Sequence, residues 1–508
     1  MRNLLIAFAA GGVSATGFAP LGLWPLTLAG LALLIMLALN VERMRSAFAT
    51  GYAFGLGHFG LGLNWIATAF TFQAAMPAWL GWVAVVITAL YLSLFPGLAT
   101  ALAWRIGKGA PVTFILLFAA AWIVTEYLRA TILLSFAWNP LAAIAVGTMD
   151  SEGLVTPATR IIGSYGLSGL LILLSGAIFL IFRERRWPAL TMLVGVPIAI
   201  SLAGWSALPP RSAPAADDDR PLIRVVQPNI DQSEKWDPEF AFRNYQRLVD
   251  ATGETGAAPR LIFWPEAAVP EFIEDEPLAR FRIASLLGPE DILMLGATKL
   301  IIETDEDGRR RAVGARNSLY AMDAEGELFA RYDKSNLVHF GEYLPLRGVF
   351  EAIGMSRLAP GDLDFWPGPG PQTLDLPGFG RAGGQICYEI SFSGRIIAPS
   401  DRPDFVFNPS NDAWFGTWGP PQHLAQARLR AIEEGLPVIR STPTGISAVI
   451  DAHGQVTGHI AHGEAGVIDA HLPRPQPPTI FARYGNVIPL LFALLLAGLA
   501  FALVRRAR

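Results

Sequence analysis

Three short segments of this chain carry side chains that could together perform acyl transfer. Glu266 ends the apolar run FWPE, Lys334 lies in YDKSN, and Cys387 lies in GGQICYE. In cysteine-based acyl transfer, a base removes the thiol proton, the sulfur attacks a carbonyl carbon, and a cation stabilises the resulting oxyanion. A carboxylate, an ammonium and a thiol at the ends of predicted strands are the groups that this chemistry needs.

Each of these residues also has an ordinary structural interpretation. A free cysteine is usually a small buried apolar side chain, although Cys387 is the only cysteine in the chain, which also excludes an internal disulfide. Glu266 could be a surface acid at a turn. Lys334 could form a solvated ion pair with Asp333, worth less than about 1 kcal/mol. If Lys334 lies near the thiol, it should instead lower the pKa of that thiol from its reference of about 8.5.

The middle of the chain has the composition of a soluble domain. Residues 208–486 contain 64 Asp, Glu, Lys and Arg residues, against 15 in the first 207 residues and 3 in the last 22. Strand-like runs alternate there with helical patterns, which predicts an α/β or layered α+β domain. The predicted strands are 222–226, 261–264, 292–295, 318–322, 328–332, 384–388, 405–408, 438–441 and 447–450, and the predicted helices are 238–251, 276–287 and 423–434.

The flanks of this domain have the composition of membrane helices. The chain is 52% hydrophobic and 16% charged, and a helix needs about 20 apolar residues to cross a bilayer. Seven helices are predicted before the soluble segment and one after it, which gives an integral membrane α-helical bundle of about eight spans. The predicted helices cover 4–19, 23–40, 47–71, 78–103, 112–134, 162–182, 188–207 and 487–504.

Basic residues in the short loops predict the orientation of these helices. With the N-terminus inside, eleven Lys and Arg residues lie in the inner loops and termini, and only Arg160 lies in a short outer loop. Both termini are then cytoplasmic and the soluble segment is outside, which is the periplasm in a cell with two membranes. A cleaved signal peptide at residues 1–18 is the alternative for the first helix.

The chemical segments resemble those of the nitrilase, or carbon–nitrogen hydrolase, superfamily. The membrane frame around them resembles the apolipoprotein N-acyltransferases of bacterial lipoprotein maturation. The resemblance covers essentially the whole chain and rests on WPEAAVP, HFGEYLP, CYEISF and SNDAWFG in this order within this topology. The family usually has His two residues after the lysine and Pro before FGEY, whereas this chain has Asn336 and His339.

The resemblance implies a fold, domain boundaries and catalytic roles. The soluble part would be an α/β nitrilase-like αββα sandwich at 221–483, joined by a linker at 208–220 to a transmembrane bundle at 1–207, with a C-terminal transmembrane helix and tail at 484–508. Glu266 would be the general base, Lys334 the oxyanion-stabilising cation and Cys387 the nucleophile. The supporting residues would be Glu342 as a second acid, the main-chain N–H of Tyr388 as an oxyanion donor, and Glu389.

Further residues are candidates for substrate binding or gating. Asn411 and Trp414, in the segment SNDAWFG, border the pocket in the family, although the segment could be a simple Asx-rich turn. Trp236, Tyr343 and Trp418 lie in segments whose aromatic content suggests lids near residues 236, 343–366 and 414–420, but tryptophans at a bilayer surface are often plain anchors.

One ionisable pair lies within the predicted membrane bundle. Glu126 and Arg129 share a helix face, either as lipid-headgroup contacts or as an interfacial pair that anchors the helix.

The reaction implied by the resemblance is a two-step transfer in the bacterial inner membrane. A phospholipid, phosphatidylethanolamine by expectation, would acylate Cys387, and the α-amine of a diacylglyceryl-modified apolipoprotein would then take the acyl chain. The alternatives are a membrane-tethered amidase acting on a small periplasmic amide, and a transporter or receptor, against which the nearly charge-free helices argue.

The sequence also bears on cofactors and partners. A net charge of −4 with no basic block argues against nucleic acid as a partner. The histidines fit no common zinc spacing, so no metal or cofactor is predicted, and the expected protein is a monomer.

Overall fold

The computed structural model describes residues 1–72, 76–147, 149, 153–183, 187–208, 220–256, 258–352, 358 and 363–506. Most of the predicted linker at 208–220 lies outside the described residues. So do part of the predicted lid at 343–366 and the loop and tail arginines Arg185, Arg186 and Arg508.

Apolar helices form the N-terminal part of the molecule and its C-terminal end. Their bounds are α1 (Arg2–Ala15), α2 (Trp24–Leu39), α3 (Met44–Gly62), α4 (Ile66–Ala69), α5 (Leu80–Leu92), α6 (Leu94–Gly107), α7 (Pro111–Thr131), α8 (Thr159–Arg183), α9 (Trp187–Ser206) and, at the end of the chain, α15 (Val487–Arg506). Proline stands in the first turn of α2, α7 and α9, where its missing N–H has no helical partner to lose.

Among the described residues, five helical stretches are long and apolar enough to cross a membrane. They are Leu80–Gly107, which α5 and α6 share, Pro111–Thr131, Thr156–Arg183, Trp187–Ser206 and Val487–Arg506. The predicted membrane bundle is thus confirmed, while the count of eight spans stays a prediction for α1, α2 and α3. The predicted helix 47–71 is interrupted, because α3 ends at Gly62 and only the short α4 follows.

The soluble part contains two mixed sheets. Its strands are β1 (Leu222–Gln227), β2 (Arg260–Phe263), β3 (Ile292–Thr304), β4 (Arg310–Met322), β5 (Leu328–Asp333), β6 (Thr373–Leu376), β7 (Gly380–Gly384), β8 (Phe405–Pro409), β9 (Val438–Ser441), β10 (Ser447–Ile450), β11 (Val456–Ile460) and β12 (Gly466–His471). One sheet has the order β12-β1-β2-β3-β4-β5 and the other β11-β10-β9-β8-β7-β6. The central strands β1, β2 and β3 are parallel, as are β7, β8 and β9.

Side chains that alternate along the strands join the two sheets face to face. Phe263 of β2 points inward, with its ring centroid 4.6 Å from that of Phe407 on β8. Its neighbour Ile262 points outward and packs in a separate core with Leu248 and Ile283. Because a strand turns successive side chains to opposite faces, one apolar run serves both the inner core and an outer layer.

Helices cover the outer face of each sheet. The soluble part contains α10 (Ala241–Thr252), α11 (Pro277–Ala284), α12 (Arg347–Ala352), α13 (Gly419–Glu434) and α14 (Ile480–Tyr484). Helices α10 and α11 pack on the first sheet, and α13 packs on the second. This is the αββα sandwich that the resemblance implied.

The strand predicted at 384–388 is misplaced. Strand β7 ends at Gly384, and a 3-10 helix begins at Cys387 and runs to Ser391. The apolar residues after Gly384 are buried in a turn, and an apolar run alone does not distinguish a strand from a buried turn. The nucleophile candidate therefore lies three residues beyond the end of the strand.

The sandwich packs directly on the membrane helices through α13. Arg430 and Glu433 form a buried ion pair at 2.7 Å. Arg430 Nη2 also donates to Ser164 Oγ at 2.5 Å, and the Ser164 main-chain N–H donates to Glu433 Oε1. Buried charges are tolerated when they are paired and hydrogen-bonded, and here the pairing joins the two parts of the chain.

Candidate active site

Glu266 lies just after β2, and its main chain and side chain are both held. Its main-chain carbonyl accepts a hydrogen bond from Lys235 Nζ at 3.0 Å, and its Oε1 accepts one from Asn317 Nδ2 at 2.7 Å. The next residue, Ala267, has a φ of +46°, which an L-residue adopts at a cost. Glu266 Oε2 is buried and has no hydrogen-bond partner among the described residues, so one carboxylate oxygen remains available to accept a proton.

Lys334 stands between two carboxylates. It follows β5, is 1% exposed, and its Nζ lies 3.0 Å from Glu342 Oε1 and 3.8 Å from Glu266 Oε1. Asn317 on β4 donates to Glu266 and, at 3.0 Å, to Glu342 Oε1. The other oxygen of Glu342 accepts the main-chain N–H of Val338 at 2.9 Å. Glu342 therefore contacts both the lysine and the segment after it, and its role as a second acid, in positioning Lys334 or in proton transfer, stays a prediction.

Cys387 opens the 3-10 helix in a left-handed conformation, with a φ of +52°. The approach to it is crowded: a Cβ on Gly384 would lie 2.6 Å from the Tyr332 ring, so only glycine fits at the end of β7. The thiol is buried, with the residue 5% exposed. This strained turn, called the elbow below, comprises residues 385–388.

Glu389 binds the elbow to the lysine segment. Its carboxylate accepts hydrogen bonds from Tyr332 Oη at 2.8 Å, from the main-chain N–H groups of Ser335 at 2.8 Å and Asn336 at 2.9 Å, and from the Ile386 N–H at 2.8 Å. A carboxylate that accepts several N–H bonds between two segments fixes their separation. At Asn336, one of the two departures from the family pattern, the contact with Glu389 is made by the main chain.

The charges around the thiol favour its protonated form. Burial raises the pKa of Cys387 well above its usual value, and the nearby carboxylate of Glu266 raises that pKa further. The Lys334 ammonium and the Asn411 main-chain N–H lower it, but by less. The expectation that Lys334 lowers the pKa of the thiol holds for that one interaction and is wrong for the net shift. Sulfur attack therefore needs a base during the step.

Lys334 remains a cation in this environment. Burial, the largest single effect, lowers the pKa of its ammonium, but the charges of Glu342, Glu266, Cys387 and Glu389 together raise that pKa above its usual value. A permanent buried cation beside the thiol is what an oxyanion-stabilising group requires.

Tyr388 connects the elbow to the membrane part. Its hydroxyl donates to the Ser135 carbonyl at 3.2 Å and accepts the Ala137 N–H at 2.9 Å. Its ring stacks on Trp138, with centroids 6.3 Å apart. The sequence assigned a role only to the main-chain N–H of Tyr388, whereas the side chain is the part with defined partners.

The candidate gating residues lie on several sides of the site. Asn411 Nδ2 donates to Gln232 Oε1 at 2.7 Å, Trp414 packs edge-on against Phe72 at 5.8 Å, and Trp418 precedes α13. Trp236 is 40% exposed, next to Lys235. The substrate and gating roles of these residues stay predictions.

Tyr343 lies beside His339, the second departure from the family pattern. The two rings are 5.3 Å apart. Its gating role also stays a prediction.

Glu126 and Arg129 are buried near the C-terminal end of α7. Glu126 Oε1 accepts the Leu141 N–H at 2.8 Å. Arg129 donates to the main-chain carbonyls of Trp138 at 2.9 Å and Asn139 at 3.3 Å, and the pair is 3.9 Å apart. These contacts hold the loop that carries Tyr388's partners, and a headgroup contact stays a prediction.

Sequence reasoning missed two residues that touch the catalytic groups and one that touches the elbow. Asn317 lies within β4, where no pattern marks it, and Lys235 was passed over beside Trp236. His423 was assigned only to a predicted helix, yet its Nε2 lies 3.1 Å from the Cys387 carbonyl oxygen. The sequence offers no local signal for any of them, because their partners Glu266 and Cys387 lie 31 to 51 residues away along the chain.

An αββα sandwich that joins Glu266, Lys334 and a buried cysteine at an elbow, fused to apolar helices, defines a membrane-bound member of the carbon–nitrogen hydrolase superfamily. The profile of the carbon–nitrogen hydrolase domain matches residues 222–476. The profile of the apolipoprotein N-acyltransferase N-terminal domain matches residues 10–177. The chain belongs to the apolipoprotein N-acyltransferase family and is an acyltransferase.

Relatives of similar length match nearly the whole chain. The apolipoprotein N-acyltransferase of Rhodopseudomonas palustris is 34% identical over 96% of this chain and 92% of its own length. That of Bradyrhizobium diazoefficiens is 36% identical over 100% of this chain and 95% of its own length. Among solved structures, an amidase from Nesterenkonia AN1 covers 54% of this chain and 97% of its own, at 18% identity and a TM-score of 0.34.

Proposed function

We propose that this enzyme transfers a fatty acyl chain from a phospholipid to the α-amine of the diacylglyceryl-cysteine of an apolipoprotein, through a thioester on Cys387. The observation that carries the proposal is that Glu389 joins the elbow of the buried Cys387 to the segment after Lys334. Lys334 Nζ in turn lies 3.8 Å from Glu266, whose Oε2 has no partner among the described residues. We place the enzyme in the bacterial inner membrane as a monomer, with cytoplasmic termini and a periplasmic catalytic domain.

In the first step, Cys387 takes the acyl chain. Because burial and Glu266 raise the pKa of the thiol, the proton passes to Glu266 as the sulfur attacks the ester carbonyl carbon. The oxyanion forms beside Lys334 and the Tyr388 main-chain N–H. The S–C bond forms, the ester C–O bond breaks, and Glu266 returns the proton to the departing lysophospholipid.

In the second step, the acceptor amine takes the acyl chain. Glu266 accepts a proton from the amine, whose pKa of about 8 leaves part of it charged at neutral pH. The N–C bond forms, the C–S bond breaks, and Glu266 passes that proton to the departing Cys387 sulfur. No step needs a cofactor.

Apolar surface next to the elbow supports a lipid donor. Ile132, Leu133 and Leu134 are exposed and directly precede Ser135, which bonds to Tyr388. Exposed apolar residues in a row mark a surface that meets lipid or another apolar partner. A donor that moves in from the bilayer would reach the thiol along this side.

Intact-protein mass spectrometry tests the proposal. Wild type incubated with phosphatidylethanolamine should gain the mass of one acyl chain, removable by hydroxylamine, whereas Cys387→Ser should form no hydroxylamine-labile adduct. Adding a diacylglyceryl-cysteine peptide should then move the mass from the enzyme to the peptide.

Two results would contradict the proposal. A folded wild type that never gains the adduct, but releases product from a soluble amide, would be the membrane-tethered amidase. An adduct that water discharges as fast as the peptide does would show a hydrolase.

A further inference from the structure

The main-chain carbonyl of Cys387 is held by two buried side chains from outside the elbow. His423 Nε2 lies 3.1 Å from the carbonyl oxygen, and Asn408 Nδ2 lies 3.2 Å from it. Asn408 also donates to the Gln385 carbonyl at 2.6 Å. A non-glycine residue in the left-handed region persists only where its surroundings fix it, and these bonds supply that restraint at Cys387.

A single arginine fixes both of these side chains. Arg440 on β9 donates through Nη1 to Asn408 Oδ1. Its Nη2 lies 2.5 Å from Asp412 Oδ2 and 3.0 Å from His423 Nδ1. All four side chains are 0% exposed. The group of Asn408, Asp412, His423 and Arg440 is called the elbow clamp below.

The bond to the Cys387 carbonyl requires a hydrogen on Nε2 of His423. A carbonyl oxygen only accepts, so Nε2 must carry hydrogen to bond to Cys387. His423 Nδ1 faces both Asp412 Oδ1 at 2.9 Å and Arg440 Nη2 at 3.0 Å. Burial, and then Arg440, lower the pKa of His423 against the opposing effect of Asp412. Burial alone would raise the pKa of Asp412, but Arg440 and His423 lower it to about 2. The Nε2–H that bonds to the Cys387 carbonyl is present both in the neutral Nε2–H ring and in the imidazolium.

The clamp also contacts the membrane part. The His423 ring lies 5.0 Å from the Trp138 ring, and the neighbouring Gln422 accepts from Trp138 Nε1 at 2.8 Å. The loop that contains Ser135 and Ala137 binds Tyr388 of the elbow. Trp138, in the same loop, contacts the clamp.

We propose that His423 is a positioning residue: its Nε2–H, together with Asn408, holds the Cys387 carbonyl so that the elbow presents the thiol to Glu266 and Lys334. This inference rests on the proposed thiol mechanism, because a fixed sulfur matters only if it attacks. His423 does not exchange protons with substrate in this role.

The test compares His423→Leu, which removes the donor, with His423→Gln, whose amide can donate from a similar position. In full-length protein in lipid nanodiscs, His423→Leu should slow acyl-enzyme formation by about 10- to 100-fold, or about 1.4 to 2.7 kcal/mol in the barrier. The KM for phosphatidylethanolamine should stay within about twofold. His423→Gln should stay within about threefold of wild type and keep the shape of its pH–rate profile. The matched control is His459→Leu, on the exposed side of β11, which should change nothing.

Alkylation of Cys387 by iodoacetamide gives a second readout that needs no acyl donor. Releasing the elbow should expose the thiol and speed alkylation about tenfold in His423→Leu, but not in His423→Gln. If wild type forms no acyl-enzyme, the proposed function fails while alkylation still tests the clamp.

Some outcomes would overturn the inference. An unchanged acylation or alkylation rate in His423→Leu would show that the bond does not hold the elbow. If His423→Gln slows acylation as much as His423→Leu does, and loses one limb of the pH–rate profile, then His423 acts as an acid–base group. If His423→Leu does not fold, Asn408→Asp is the second test. This substitution replaces the Nδ2 donor to the Cys387 carbonyl by an oxygen, while the carboxylate can still accept from Arg440. It should show the same slowing at constant KM, and a normal rate there would refute the clamp.

Discussion

Two strand ends meet at the active site, one from each sheet, and they are held in different ways. After β2, Glu266 precedes a residue with a φ of +46°, and its carbonyl is held by the long side chain of Lys235. After β7, Cys387 itself has a φ of +52°, and two short side chains backed by the buried Arg440 hold its carbonyl.

The two carbonyls differ in the number of groups that hold them: one lysine side chain holds that of Glu266, whereas a network of buried side chains holds that of Cys387. Lys235 adjoins Trp236, which is 40% exposed, and a lysine side chain has several rotatable bonds that cost entropy to order. The elbow clamp consists of 0% exposed groups that bond to one another. In the proposed mechanism the sulfur must return to the same position after each turnover, and a buried network favours this.

Replacing the base should have the largest effect and should separate two properties of the thiol. Glu266→Gln keeps the Asn317 contact but accepts no proton, so acyl-enzyme formation should fall by about 10²- to 10⁴-fold. Removing the carboxylate should also lower the pKa of Cys387, so iodoacetamide should alkylate it faster at pH 8. Glu303→Gln, an exposed substitution on β3, is the matched control. Parallel slowing of both reactions would contradict the electrostatic role of Glu266.

Replacing the cationic side chain of Lys334 should have the next largest effect. Lys334→Met should slow acylation by about 10²- to 10³-fold and should raise the pKa of Cys387 further, so that alkylation becomes slower. It should also lower the free energy of unfolding by about 3–5 kcal/mol, because Glu266 and Glu342 lose their buried cation.

Lys299→Met provides the control for that substitution. Lys299 pairs with Glu274 in a half-exposed position, where an ion pair contributes less than about 1 kcal/mol. If the two variants unfold at the same temperature, the buried lysine is not the pairing centre that the geometry indicates.

Removing the bond between Lys235 and the main-chain carbonyl of Glu266 should have the smallest effect. Lys235→Met removes the bond to the Glu266 carbonyl, and acylation should fall about tenfold. Burial lowers the pKa of Lys235 to about 8, against the attraction of Glu266 and Cys387. Between pH 8 and about 10.4, the unfolded chain then binds more protons at Lys235 than the folded chain does, so this residue makes stability rise with pH.

The pH dependence of stability tests this assignment. The melting temperature of wild type relative to Lys235→Met should increase from pH 8 to pH 10, since the cost of burying the ammonium is fully present below pH 8 and declines between pH 8 and about 10.4. A constant difference over this range would show that Lys235 titrates normally.

Some of this site could be predicted from the sequence because its members close local patterns. Glu266, Lys334 and Cys387 each lie at or near the end of a predicted strand, and their order matches a known family. Asn317 and His423 could not be found in this way, since each acts through a partner far along the chain. The strand at 384–388 was wrong because burial in a turn and burial in a strand leave the same apolar run.

The sequence by itself determined the apolar helices, the soluble insertion between them and the three chemical groups, because these depend on composition and on patterns within a few residues. Only the tertiary structure decided that the elbow is left-handed, that the thiol is protonated at rest, and that Lys235 and His423 hold the two strand ends. Those properties depend on burial and on distances between segments, and neither quantity is local in the chain.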